Sequence, residues 1–262
     1  MSSPEAGDSG PEMLWPAVGA IPQLEAQSIH VWSWRVGGLP RLDQTSDVVT
    51  TPDAMALLSE EERARAGRFV SAARQARFVE AHAGLRTILG GYLGLRPGEV
   101  AFSKGEHGKP ELAGNSGLRF NLSHSRDLAI LGVSCGVELG VDVEYIRPAS
   151  AGIAERFFSE PEIAALAQVQ PADYLAAFYA CWTRKEAFLK GLGTGISGGL
   201  HTFSVSIAMH AEPELSDREG LTRGWKLKHL EPATGYIGAL ACSEDECGIQ
   251  CMTPSWDLHG GG

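Results

Sequence analysis

No apolar run in the 262-residue chain approaches the roughly 20 residues that a helix needs to cross a bilayer, so membrane spans are not expected. No basic segment leads into an apolar one near the N-terminus, so a secretory signal is not expected either. Cysteine is sparse: five residues, at 135, 181, 242, 247 and 251, an odd number with no Cys-x-x-Cys pair among them. That spacing disfavours a disulfide framework or a zinc site and fits a reducing cytoplasm. Basic charge is also short, with 22 Lys and Arg against 32 Asp and Glu and a formal net charge of -10. Nucleic-acid binding demands a basic face, so it is not expected, and any anionic ligand must be held by a local basic pocket.

The remainder is ordinary for a globular protein, with 44% hydrophobic and 21% charged residues and enough length for one large domain or two small ones. Residues 1–27 mix Ser, Pro, Gly and Glu without periodicity and read as a flexible leader. His30, Trp32, Trp34 and Val36 alternate with Val31, Ser33 and Arg35, which predicts a strand with one buried face and a packed rather than ligating His30. Ser59-Glu60-Glu61-Glu62 has the form of a helix start, and Ser71 is placed to cap a helix carrying Phe78, Leu85, Ile88, Leu89 and Tyr92. Arg86 lies within that helix, off its apolar centre, either as a solvated arginine or as one wall of an anion pocket. Glu106-His107-Gly108-Lys109-Pro110 reads as a polar turn.

Strands follow at 118–123, 128–134 and 137–144, then helices at 153–158 and from Ser159, and a long helix over 172–190. Strands near 203–207, 224–230 and 236–242 would continue a sheet, and 244–262 reads as a poorly ordered polar tail. The halves resemble each other in outline. This predicts an α+β fold of two lobes, 28–136 and 137–243, each a small mostly antiparallel sheet packed with helices, with the active site at their interface.

Two stretches carry the chemistry. In a helix, Trp182, Glu186 and Lys190 align at intervals of four, with Lys185 on the flank. In the strand Gly140-Val141-Asp142-Val143-Glu144, the two carboxylates share a face about 6 to 7 Å apart while the valines point into apolar packing. Taken singly, the first is an ordinary helix ion pair and the second a solvated strand rim. Together, Asp142, Glu144 and Glu186 with lysines beside them suit magnesium holding a polyphosphate, since magnesium prefers oxygen ligands and completes its shell with phosphate and water. Lysines and arginines nearby would take the remaining phosphate charge.

Gly-Val-Asp-Val-Glu at 140–144, followed after 37 residues by Trp-x-x-Lys-Glu-Ala-x-x-Lys at 182–190, resembles the 4'-phosphopantetheinyl transferase superfamily. Gly-Lys-Pro at 108–110 and Phe-Asn-Leu-Ser-His-Ser at 120–125 resemble its surfactin-synthetase-activating type, a monomer of two pseudo-symmetric lobes. The resemblance implies a cytoplasmic enzyme that moves the phosphopantetheine arm of coenzyme A to a serine of an apo acyl, aryl or peptidyl carrier protein of polyketide, fatty-acid or nonribosomal peptide synthesis. Adenosine 3',5'-bisphosphate is the other product. It implies Asp142, Glu144 and Glu186 as ligands of magnesium, or of manganese in its place, with Asp142 also facing the coenzyme A pyrophosphate. Glu186 matches the proposed base, acting directly or through water, and Lys190 the lysine on the pyrophosphate.

Arg86, Lys109, Ser123 and His124 match positions around the coenzyme A phosphates or adenine, and Lys185 is a further cofactor contact. Arg65 aligns with a basic position for the 3'-phosphate, although the neighbouring family lysine is replaced by Glu62. A magnesium-dependent nucleotide-diphosphate hydrolase and a non-catalytic regulator that binds carriers or coenzyme A remain as alternatives to the transferase.

Overall fold

The computed structural model describes residues 11–37, 52–105, 108–150, 152–194, 199–217, 219–244 and 247–256. Parts of three expectations lie outside these residues: Glu106 and His107 of the polar turn, the first ten of the leader and the last six of the tail. In chain order the N-terminal elements are β1 (Ala17–Val18), β2 (Ser28–Arg35), α1 (Pro52–Leu57), α2 (Glu60–Ala66), α3 (Ala72–Leu93), β3 (Phe102–Lys104), β4 (Pro110–Leu112), β5 (Leu118–Ser125) and β6 (Leu128–Cys135). Then come β7 (Leu139–Tyr145), α4 (Ile153–Phe157), α5 (Glu160–Leu166), α6 (Tyr174–Leu192), β8 (Phe203–Val205), β9 (Leu215–Asp217), β10 (Lys226–Leu230), β11 (Tyr236–Cys242) and β12 (Gly248–Pro254).

The helix starts obey local chemistry. Ser59 accepts from the Glu62 N–H at 3.2 Å while the Glu62 carboxylate accepts from the Ser59 N–H at 2.8 Å, a reciprocal cap that begins α2. Ser71 caps α3 through the Arg74 N–H, and the Ser159 N–H donates to Glu162 at the start of α5.

Two sheets follow, in the orders β1-β12-β2-β6-β5 and β10-β11-β7. Apolar side chains of the first (Ile29, Val31, Leu128, Ile130) pack against those of the second (Leu139, Val141, Val143, Leu240). On its other face the first sheet carries α3, through Trp32 and Trp34 against Ala81, Leu85 and Ile88. The second sheet carries α6, through Ile237, Ala239 and Ala241 against Phe188 and its neighbours. The fold is therefore α+β, with the sheets inside and a long helix outside each.

Three expectations change. β2 is buried on both faces, because it lies between β12 and β6 and between α3 and the second sheet. β8 pairs with β9 in a separate ribbon instead of continuing the sheet. Residues 248–254, expected within a polar tail, form β12, a parallel partner of β2 that takes β1 on its other side. Met252 enters one core and Ile249 and Cys251 the other, so a segment too polar to announce itself finds apolar surroundings in the first sheet. The leader is engaged too: Met13 bridges to Ala233, and Ile21 packs against Gly91 of α3.

Candidate active site

At the junction of the sheets, β5 and β7 run side by side and are joined by side chains. Val141 N–H donates to Asn121 Oδ1 at 2.8 Å, Val143 N–H to Ser123 Oγ at 3.4 Å and Tyr145 N–H to Ser125 Oγ at 3.2 Å. The polar residues of Phe-Asn-Leu-Ser-His-Ser are thus spaced by two because each satisfies every second N–H of the neighbouring strand. Behind the seam β7 lies directly on α6. A Cβ on Gly140 would collide with the Ala187 carbonyl and the Gly191 amide, so glycine is required for that approach.

This packing brings the predicted acids to one place. Asp142 is 5% exposed, and its Oδ1 accepts from Lys190 Nζ at 2.6 Å and Ser123 Oγ at 2.9 Å. Glu144 accepts from Ser125 Oγ at 2.7 Å. On α6, residues 181–190 are all buried except Trp182, Glu186 and Lys190, so the ridge anticipated from spacing is the face that α6 turns to the cleft. Trp182 packs against Phe157, Phe158 and Phe178 beside it.

Burial and then the charges of Asp142 and Glu144 push Glu186 up to about 7, with Lys190 opposing. Burial also raises Glu144; the Ser125 bond opposes this and Asp142 adds to it. Asp142 Oδ2 and Glu186 Oε1 are buried and have no hydrogen-bond partner. Three carboxylates against Lys190, with the more exposed Arg147 acting only on Glu144, leave net negative charge at full ionisation that a divalent cation would offset.

These oxygens fit magnesium: they are hard donors, two of them lack partners, and their mutual repulsion calls for a cation. Among the described residues no group of three His, Cys, Asp or Glu side chains is arranged to hold a metal ion by itself. Magnesium does not require such a group, because it retains waters and takes substrate oxygens.

Cations gather around His124 at the end of β5. His124 keeps a solvent-exposed face. Crowding by the surrounding protein is the main cause that lowers its pKa to about 4, followed by His82, Lys190, Arg65 and Arg77. Their convergence on one neutral imidazole marks a place where an anion would be favoured. Arg65 is exposed at this mouth, its guanidinium over the Phe78 ring.

Three predicted contacts are elsewhere. Arg86 is 2% exposed; it donates to Glu62 at 2.7 Å and to the Pro97 and Val100 carbonyls, tying α3 to its neighbours. Lys185 is fully buried, donating to Glu162 at 2.6 Å and to the Phe203 carbonyl at 2.7 Å. One helical step of roughly 100° separates it from Glu186 and turns it into the core. Lys109 donates to the Leu139 and Gly191 carbonyls and to Glu138, holding the end of α6 against β7.

Arg77, His82 and Ser125 are additions. Arg77 lies nine positions before Arg86, about two and a half turns, so the two face opposite sides of α3. That half-turn was available in the sequence as a signal. Ser123 is chiefly a seam residue that also holds Asp142 and Lys190.

A family model described as "4'-phosphopantetheinyl transferase superfamily" matches residues 138–241, which contain β7, α6 and both acidic motifs. The 4'-phosphopantetheinyl transferase HetI of Nostoc sp. is 36% identical over 225 residues, 84% of this chain and 90% of that one. The chain belongs to the 4'-phosphopantetheinyl transferase superfamily. The 4'-phosphopantetheinyl transferase Sfp of Bacillus subtilis is 31% identical to the transferase over 162 residues, 62% of this chain and 71% of that one. Among solved structures, the holo-[acyl-carrier-protein] synthase of Thermotoga maritima matches with 22% identity and a TM-score of 0.34, over 42% of this chain and 64% of that one.

Proposed function

We propose that this transferase moves the 4'-phosphopantetheine arm of coenzyme A to a serine hydroxyl of an apo carrier protein, releasing adenosine 3',5'-bisphosphate. The observation that carries the reading is the pair of unpartnered buried oxygens on Asp142 and Glu186, with the cations around His124 sharing Lys190 with them. Asp142, Glu144 and Glu186 would hold magnesium, or manganese in its place, and the ion would neutralise the coenzyme A pyrophosphate when bound.

The chain's own groups divide the rest of the work. Glu186, on the ridge of α6 beside Asp142 and Glu144, would take the proton of the serine hydroxyl, directly or through water. The new bond joins the serine oxygen to the phosphorus bearing the pantetheine arm, and the bond from that phosphorus to the bridging oxygen breaks. Lys190, anchored on Asp142 and Ser123, supplies positive charge for the departing phosphate. Arg65, His124 and Arg77, whose 2.8 Å pair with Asp127 is partly exposed rather than buried, would meet the nucleotide phosphates. Arg86 and Lys185, held in internal ion pairs, are left out of this set, and Lys109 acts by fixing Gly191 next to Lys190.

One chain supplies both sets of charges, Arg65 of α2 and Arg77 and His82 of α3 acting on His124 together with Lys190 of α6, which supports a monomer. Its five cysteines are free thiols, which suits a reducing cytoplasm. No helix among the described residues is long and apolar enough to cross a membrane.

Incubation with coenzyme A, magnesium and a purified apo carrier tests the reading by intact mass. The expected result is a carrier one phosphopantetheine heavier, at its serine, with stoichiometric bisphosphate. Bisphosphate release without a carrier, and with the carrier unchanged, would replace transfer by hydrolysis. Coenzyme A and carrier binding without turnover would leave a regulator.

A further inference from the structure

The seam between β5 and β7 does more than join two sheets. Its first rung, Asn121, accepts the Val141 N–H and touches no carboxylate in the network described above. Its last rung, Ser125, uses both capacities of its hydroxyl: it accepts the Tyr145 N–H at 3.2 Å and donates to Glu144 Oε2 at 2.7 Å. Accepting from the backbone fixes the oxygen, and the proton is thereby aimed at the carboxylate. Ser123 does the same for Asp142, accepting Val143 N–H and donating at 2.9 Å, but it also receives Lys190. Glu144 lacks any such lysine bond among the described hydrogen bonds, so Ser125 is what orients it.

The geometry points to Ser125 as the positioning residue of Glu144, holding that carboxylate in the orientation in which it meets a divalent cation. This rests on the transferase reading with its magnesium site. The second hydroxyl of the Ser-His-Ser stretch is then needed for two separable reasons. As a seam acceptor it satisfies a strand amide, a duty it shares with Asn121. As a donor it restrains a metal-binding carboxylate, and loss of such an outer hydrogen bond weakens metal binding without removing a ligand.

Magnesium titration by calorimetry, with coenzyme A present and carrier absent, separates these roles across Ser125→Ala, Ser125→Thr and Asn121→Ala. Ser125→Ala is expected to weaken magnesium binding roughly 10-fold, with the KM for magnesium in carrier modification rising in parallel and kcat at saturating magnesium nearly kept. Ser125→Thr, which retains the hydroxyl, is expected to restore wild-type affinity. Asn121→Ala is expected to lower the melting temperature while leaving magnesium affinity unchanged.

Wild-type affinity in Ser125→Ala, an equal loss in Asn121→Ala, or a Ser125→Thr variant as weak as Ser125→Ala would each overturn the assignment while leaving the transferase intact. Wild-type protein that took up no magnesium and left the carrier unmodified would instead remove the magnesium-dependent reading, and the role of Ser125 with it.

Discussion

The two lobes are built around the same device. In each, a Ser-x-x-Glu cap starts a short helix, and the capping glutamate then reaches a cation buried on the long helix that follows: Glu62 to Arg86 in the first lobe, Glu162 to Lys185 in the second. The difference lies in how tightly the pair is sealed and in what the long helix turns to the cleft. Glu162 and Lys185 are 1% and 0% exposed, and Glu162 also accepts the Ser159 and Val205 amides. Glu62 is 12% exposed and shared with His82. Burial would raise the pKa of Glu62, yet His82, the Ser59 amide and Arg86 together bring it down to about 2. Beyond these pairs, α6 adds Glu186 and Lys190 to the carboxylates of β7, while Arg65 of α2 and Arg77 and His82 of α3 act on His124. A repeated scaffold thus carries mainly carboxylates in the second lobe's contribution and cations in the first lobe's.

The largest expected effect tests that division of labour. Glu186→Gln should slow carrier modification by about 100-fold or more, the scale of a lost general base, and leave the melting temperature intact, because repulsion with Asp142 and Glu144 is relieved. Turnover like wild type in that variant, read by carrier mass against time, would break the assignment of α6 as the catalytic helix.

The paired cations come next. Lys185→Met leaves Glu162 charged in the core and should cost about 3 to 5 kcal/mol in urea denaturation. Arg86→Met should cost less, about 1 to 3 kcal/mol, because Glu62 keeps His82 and the Ser59 amide. Equal losses would erase the distinction between a sealed pair and a shared one.

Glycines at the two helix–sheet contacts give a smaller contrast. Gly84 of α3 faces the Trp34 indole, 2.6 Å from where a Cβ would sit, whereas Gly140 of β7 faces the backbone of α6. A side chain can shift and a helix backbone cannot do so cheaply. Gly140→Ala should therefore fall in the upper part of the overpacking range of about 1 to 3 kcal/mol and Gly84→Ala in the lower part.

The smallest effect concerns His124. Its pKa of about 4 lies below the ordinary histidine value of 6.5, so the unfolded chain takes up the proton first. Its contribution to stability is therefore lost as pH falls from about 6.5 toward 4 and is flat below that. Coenzyme A should move the imidazole pKa upward in an NMR titration, because phosphate charge offsets Arg65, Arg77, His82 and Lys190. An unmoved His124 resonance would detach these cations from the nucleotide.

Much of the site was legible because it depends on local periodicity. A period of two puts Asp142 and Glu144 on one side of β7, and a spacing of four puts Trp182, Glu186 and Lys190 on one ridge of α6. The caps at Ser59, Ser71 and Ser159 were legible for the same reason. Arg86 and Lys185 misled because a cation in a functional motif reads alike whether it faces a phosphate or a buried glutamate. Ser125 escaped notice because its partners lie about 20 residues along the chain. β12 did so because the strand it pairs with and the core that takes Met252 come from elements more than 100 residues away.

The sequence by itself determined the long helices, the central strands, the helix starts and the two acidic motifs, since each rests on backbone geometry and near neighbours. Only the tertiary structure decided which cations are spent inside the lobes and which face the cleft. It also decided that the C-terminal strand belongs to the first sheet and that Ser125 touches Glu144. Those outcomes depend on burial and on partners distant in the chain, whose energies no local pattern records.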